Sequence, residues 1–335
     1  MKWYSLRYVL SLLPGVLTLT GNICGGYLAW MTVVYSFIGL PLLEFFLPQH
    51  KKNGEPDAAL ADTILYAHVL LHTACMASLW VGISSGRLQG LPLLAAIGST
   101  GLQAGLSGIT AAHELIHRRS RISRGLGIWN LLLVNYGHFY VEHIRTHHKW
   151  VGTPRDPATA RLQESVYHFI GRTLPAQYRS ALQTEAQRLK RHKRKAYGLR
   201  NFVVSVSLLE CLYSILLLVL TGWQGWLATL AVSTLAVCIL EYVNYIEHYG
   251  LERMPGERIQ AVHSWNSDTP LSRFTLLELS RHADHHLRTA QPYYRLQSNP
   301  ESPVLPHGYY GSFYLALFPA RWFRRMNPLI LTLKK

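Results

Sequence analysis

Six stretches of this chain, at 6–22, 27–47, 63–84, 91–112, 199–221 and 225–246, are almost continuously apolar. Each approaches the ~20 residues that a helix needs to cross a bilayer core. In hydrocarbon the backbone polar groups find no water, so a spanning segment has to satisfy them internally, as a helix does. The runs therefore predict an all-α integral membrane protein with six transmembrane helices. A content of 49% hydrophobic and 15% charged residues, gathered into runs, favours a single polytopic domain over 1–335 rather than two soluble domains. The polar stretch 150–198 splits the spans into four plus two, and with the tail 249–335 it is expected to form a cytoplasmic cap.

The basic residues give an orientation. With the N-terminus in the cytoplasm, the outward loops 21–26, 85–90 and 222–224 carry one basic residue, Arg87. The other loops hold Lys51, Lys52, RRSRISR (118–124), RLKRHKRK (188–195) and RWFRR (321–325), as the positive-inside rule expects for a cytoplasmic, inner membrane face. A formal charge of +15 would otherwise suggest nucleic acid; in a membrane chain it reads as headgroup attraction and topology, with docking of an acidic electron carrier as the alternative. No cleavable signal peptide is expected. Cys24, Cys75, Cys211 and Cys238 stand apart, so neither a disulfide framework nor a thiolate metal knuckle is indicated.

Nine of the seventeen histidines lie in clusters at or just beyond the ends of these runs: His113 and His117, then His143, His147 and His148, then His248, then His282, His285 and His286. On an α-helix, residues three or four apart share a face, so each multi-histidine cluster aims several imidazoles at one point. His143 and His147 are expected to share a face and His148 to diverge towards a second point. HADHH can bridge two coordination spheres, and the pattern favours two metals. Glu114, Glu142, Asn244, Glu247 and Asp284 flank the clusters as candidate orienting groups behind the rings. The remaining histidines, His50, His68, His72, His138, His168, His192, His263 and His307, are read as hydrogen-bonded surface residues. Trp30, Tyr35 and Phe37 are read as packing or interfacial residues, with control of substrate length as the alternative.

His113, Glu114 and His117 also satisfy HExxH, the zinc-protease pattern, but a protease would leave seven clustered histidines without a role. A bis-histidine haem would need single histidines deep in facing helices. A metal transporter would need a polar path through the spans, and none is visible. Imidazole suits iron, copper and zinc, and a large nitrogen site without thiolate is unlike structural zinc; non-haem di-iron is the favoured choice.

The segments HELIHRRS (113–120), EHIRTHHKWVGTPRDPA (142–158), NYIEHYGL (244–251), HSWNSD (263–268) and LSRHADHH (279–286) resemble, in order, the signatures of the membrane alkane monooxygenases, a branch of the fatty acid desaturase and hydroxylase superfamily. The resemblance runs from about residue 60 to the C-terminus. It departs from the alkane pattern at Thr146, Arg155, Ser280 and Ala283, and the xylene monooxygenases have similar motifs. By this resemblance the nine clustered histidines bind two irons, and O2 with electrons from rubredoxin or ferredoxin and its reductase hydroxylates the terminal methyl of a medium-chain n-alkane drawn from the lipid bilayer. The alternatives are methyl hydroxylation of alkyl-aromatics and desaturation or hydroxylation of an acyl chain.

Overall fold

The computed structural model describes residues 2–333, and the fold is all-helical; among the described residues the only bridge is the isolated pair Asn266 and Val304. Among the described residues, four helices are long and apolar enough to cross a membrane: α1 (Tyr4–Cys24), α2 (Gly26–Phe46), α3 (Ala58–Ser84) and a long rod ending at His248. Between the last two, α4 runs over 90–117 as one rod with a π turn at Ala104–Ile109, and α5 (Arg121–Leu133) folds back on it. The segment α6 over 139–150 carries a second π turn, His143–His147. Helix α7 (Val166–Arg191) then leads to α8 (Phe202–His248).

The apolar runs at 199–221 and 225–246 thus form one rod with a bend. Its hinge is Gly222, at φ 69°, ψ −177°, a conformation open to glycine and costly for any residue with a Cβ. Capping sets the helix starts: the side chains of Asp57, Ser120, Ser165 and Asn201 each accept from backbone N–H groups of the first turn that follows. Where α4 passes α8, Gly105 allows near-contact, because a Cβ there would sit 2.9 Å from Ile239. Polar side chains also join the spans: Asn22 donates to the Cys75 carbonyl, Ser78 and Thr100.

The chain after α8 packs on the ends of α2, α7 and α8 through α9 (Pro270–Thr275), α10 (His282–Leu287), α11 (Gly308–Ala316) and α12 (Pro319–Leu333). Tyr245, Tyr249, Trp265 and Trp322 form the apolar part of that joint. Its polar part is charged and buried. Glu44 at the end of α2 accepts from Thr269, Ser272 and the Tyr310 and Gly311 N–H groups, so α2 caps the N-terminus of α11. Fully buried Arg273 pairs with Glu278 at 2.8 Å, and Tyr8 donates to the same carboxylate. Arg281 pairs with Asp268 at 2.9 Å.

Leu277 and Glu278 stand at φ 50° and 56°, a left-handed stretch that costs bulky residues energy unless the surroundings hold it. This turn lies shortly before α10 in the chain. Glu278→Ala removes one partner of the buried pair and leaves Arg273 uncompensated, so a loss of about 3–5 kcal/mol is expected. Thermal unfolding in detergent checks this, and an unchanged midpoint would contradict it.

Candidate metal centre

The nine clustered histidines arrive from four places: the C-terminal end of α4, the segment of α6 around its π turn, the last residue of α8, and α10. Their rings divide into two groups whose ligand atoms lie within 4.8 Å of one another: His113, His117, His143, His148 and His285, and His147, His248, His282 and His286. In the first, the Nε2 atoms of His117, His143 and His148 form a triangle with sides of 3.0, 3.2 and 2.9 Å, and His285 Nε2 lies 3.1 Å from that of His148. In the second, His282 Nε2 is 3.0 Å from both His248 Nε2 and His286 Nε2.

Hydrogen bonding among the rings does not account for this packing. A neutral imidazole has one N–H, so three mutually close nitrogens cannot all be satisfied by one another. Buried Nε2 atoms of His113 and His147 have no hydrogen-bond partner at all. Burial first, then the neighbouring imidazoles, push His143, His148, His282, His285 and His286 well below the ordinary histidine range, which keeps the rings neutral and their lone pairs available. Two sets of converging, neutral nitrogens are the donor chemistry that a pair of divalent transition-metal ions requires.

The partition differs from the α-helical expectation in one place. His143 and His148 serve the first group while His147 turns to the second. The cause is the π turn at His143–His147, which brings residues five apart onto one face and rotates the fourth away. The spacing of HADHH behaves as α-helical: His282 and His286, four apart, share a group, and His285 goes to the other.

The flanking polar residues are corrected more broadly. Of the five, Glu247 alone approaches a clustered ring, its Oε1 lying 3.2 Å from His282 Nδ1 while it accepts from Tyr309. Glu114 instead accepts from Arg118 at 2.7 Å and from the Tyr293 N–H, and Asp284 from Arg288 and the Gln297 N–H. Asn244 donates to Glu241, and Glu142 is buried with one oxygen unpartnered. A residue next to a histidine in a helix projects roughly 100° away from it, so sequence adjacency sends its side chain to other neighbours. The commitment of Glu114 to Arg118 also removes it from the base role that HExxH would give it.

A residue outside those five does approach the centre. Asp156 Oδ2 lies 2.9 Å from His147 Nδ1, in the buried turn after α6. Burial works against its charge, but His147 and the Thr159 hydroxyl outweigh this and hold the carboxyl below its usual range. The nearby RDPA sequence was its only signal, nine residues from the ring it supports. Four histidines read as surface residues, His68, His72, His138 and His263, are in fact buried. His68 and His72 sit inside α3 against Ser11, Ser107 and Gln103, where helix packing gives them partners that water would otherwise supply.

An apolar cavity among α2, α4, α8 and α11 is lined by Phe37, Leu102, Leu106, Tyr242, Val243 and Phe313. A second cavity, sharing Val243, is lined by Gly105, Ile109, Phe139 and Leu279 and reaches His113, His143 and His282, rings from both groups. Of the three α2 aromatics, Phe37 lines the first cavity; Trp30 and Tyr35 do not.

Residues 85–314 match the fatty acid desaturase family model. The chain is 32% identical to alkane 1-monooxygenase 2 of Alcanivorax borkumensis, over 91% of its length and 83% of that protein's. The chain belongs to the alkane 1-monooxygenase branch of the fatty acid desaturase family. Alkane 1-monooxygenase 1 of Pseudomonas aeruginosa is 34% identical, over 89% of this chain and 82% of its own. The xylene/toluene monooxygenase hydroxylase component of Pseudomonas putida is 29% identical over 95% and 87%. This family member is therefore an integral membrane oxidoreductase of the monooxygenase class, and its histidine groups are suited to the metal on which the family depends.

Proposed function

We propose that this protein hydroxylates the terminal methyl group of medium-chain n-alkanes to primary alcohols, using O2 and electrons delivered by rubredoxin or ferredoxin. The observation that carries the reading is a pair of small apolar cavities that share Val243 as a lining residue, one among the spans and the other reaching rings of both histidine groups. A narrow apolar passage admits an unbranched chain end-on and favours its methyl terminus. Apolar walls also exclude water from the reacting end.

In this reading the nine histidines hold two irons, five rings to one and four to the other. The irons supply the reductive activation of O2 and the transfer of one oxygen atom into the C–H bond. The protein's own part is positional. Asp156 fixes the tautomer of His147 by accepting from Nδ1–H, leaving Nε2 to ligate, while the Glu247 carboxylate lies 3.2 Å from His282 Nδ1 without a hydrogen bond. Leu279, at the end of the left-handed turn, and Phe139 close the cavity beside the rings.

We assign six crossings to α1, α2, α3, α4 and the two halves of α8, with residues 150–198 and 249–335 as the cytoplasmic cap of an inner membrane protein. The basic segments at 118–124 and 188–195 support this orientation. Supplying octane, p-xylene and an acyl lipid to cells that express the protein tests the substrate class. The expected product is 1-octanol carrying one atom of labelled O2. Methylbenzyl alcohol as the main product would favour the aromatic reading, which the Phe37, Tyr242 and Phe313 lining and the xylene relative both encourage.

Blocking the passage gives a further prediction. Val243→Trp, at the residue shared by both cavities, is expected to reduce octane turnover by about tenfold or more while leaving the metal content intact, because it overfills the close-packed junction. Gas chromatography beside elemental analysis reads both. Undiminished octane turnover would place the substrate elsewhere.

A further inference from the structure

His68 and His72 lie one turn apart on α3, a helix apolar enough to cross a membrane, and both rings are buried. Ionisable side chains at such a depth are costly to place and generally serve function. Both rings bond the same stretch of α4, the π turn at Ala104–Ile109 and the residue just before it.

The single hydroxyl proton of Ser11 goes to the Tyr8 carbonyl at 2.5 Å, so His68 donates from Nε2 to Ser11 at 2.7 Å and accepts at Nδ1 from the Ser107 hydroxyl at 2.6 Å. His72 Nδ1 donates to Gln103 Oε1 at 3.0 Å. From α5, Asn130 donates to the Gly108 carbonyl, inside the π turn, at 3.1 Å. Gly108 makes room for His72, since a Cβ there would stand 2.9 Å from its ring. One turn before Asn130, Gly127 lets α5 lie close on the histidine-bearing end of α4, where a Cβ would fall 2.9 Å from Ile116. Side chains of α1, α3 and α5 thus grip one turn of α4.

A π turn inserts one residue relative to an α-helix, and one residue is a rotation of about 100°. His113 and His117 follow the π turn on the same rod, so an α4 without the insertion would turn both away from His143, His148 and His285. The grip is also not the most stable way to pack the spans. His72 Nε2, Gln103 Nε2 and Asn130 Oδ1 have no hydrogen-bond partner, and buried polar atoms in that condition cost more than apolar contacts would. We propose that His68, His72 and Asn130 are positioning residues for the five-histidine group: they hold the π turn of α4 and so set the rotation at which His113 and His117 leave it. The inference rests on the reading of that group as a metal site.

Iron content and Mössbauer spectra of the detergent-solubilised protein, loaded with isotopically enriched iron, test this without requiring turnover. Asn130→Leu keeps the branching of the side chain and removes the donor. It is expected to weaken iron binding at the five-histidine group by about tenfold or more, while the four-histidine group keeps its iron and the spectrum reduces to one environment. Asn22→Leu removes an equally buried amide that bonds Cys75, Ser78 and Thr100 away from the π turn. It is expected to lower the unfolding temperature and leave both irons in place. His68→Leu should repeat the loss seen in Asn130→Leu, and His68→Gln, whose amide can still bond Ser107, should restore affinity to within about threefold. If Asn130→Leu does not fold, the two His68 variants carry the same test. Both iron environments at full occupancy in Asn130→Leu or in His68→Leu would overturn the proposal, as would an equal loss in Asn22→Leu, which would reduce the effect to general destabilisation. An unmodified protein that takes up no iron would refute the metal-site reading, and the proposal with it.

Discussion

Alanine at His282 is expected to cost one metal ion of the pair, whereas alanine at His285 leaves both sites able to bind. His282 is central to the smaller group, with its Nε2 at 3.0 Å from two other members, and its loss leaves His147, His248 and His286. Removing His285 still leaves His113, His117, His143 and His148, a full nitrogen set. Elemental analysis should therefore fall from roughly two irons per chain to roughly one in His282→Ala, and far less in His285→Ala. Hydroxylation in His282→Ala should fall by more than the ~10²-fold that loss of a supporting carboxylate typically costs. Retention of two irons with full turnover in His282→Ala would remove that residue from the ligand set and undo the division into five and four.

Asp156→Asn has the second largest expected effect, although the residue ligates nothing. The carboxylate can only accept, so it demands a proton on His147 Nδ1 and leaves Nε2 with a lone pair. An asparagine can present its NH2 instead and stabilise the opposite tautomer, with the proton on the nitrogen that should bind metal. A drop of about 10–100-fold in metal affinity or in turnover is expected. Asp156 also accepts from the Thr159 hydroxyl and the Ala158 N–H, so the turn itself could be at fault. Thr159→Val separates the causes: it disturbs the turn and spares the histidine, so its iron content should stay close to that of the unmodified protein. Equal losses in the two variants would make Asp156 a turn residue rather than an orienting one.

Much of the fold follows from local chemistry. Apolar runs of about 20 residues are too long for membrane strands and satisfy their own backbone as helices, and the fold is all-helical. The nine histidines were conspicuous because they recur at helical spacing beside those runs, and the structure brings all nine into the two groups. Their allocation was not legible. His143, His147 and His148 offer the same pattern to an α-helix or a π turn, and the choice between them depends on how α6 is packed rather than on these residues alone.

The supporting groups show the same limit more sharply. Glu114 and Asp284 stand next to histidines in the chain and face arginines in space, while Asp156 comes in from a turn and Glu44 reaches a cap that begins some two hundred residues later. Sequence by itself determined the setting and the donor atoms, because hydropathy and ligand type are properties of single residues and short periods. Only the tertiary structure decided which nitrogens converge in which group, which carboxylate stands behind them and where the cavity meets the rings, because those depend on distances between segments that nothing local encodes.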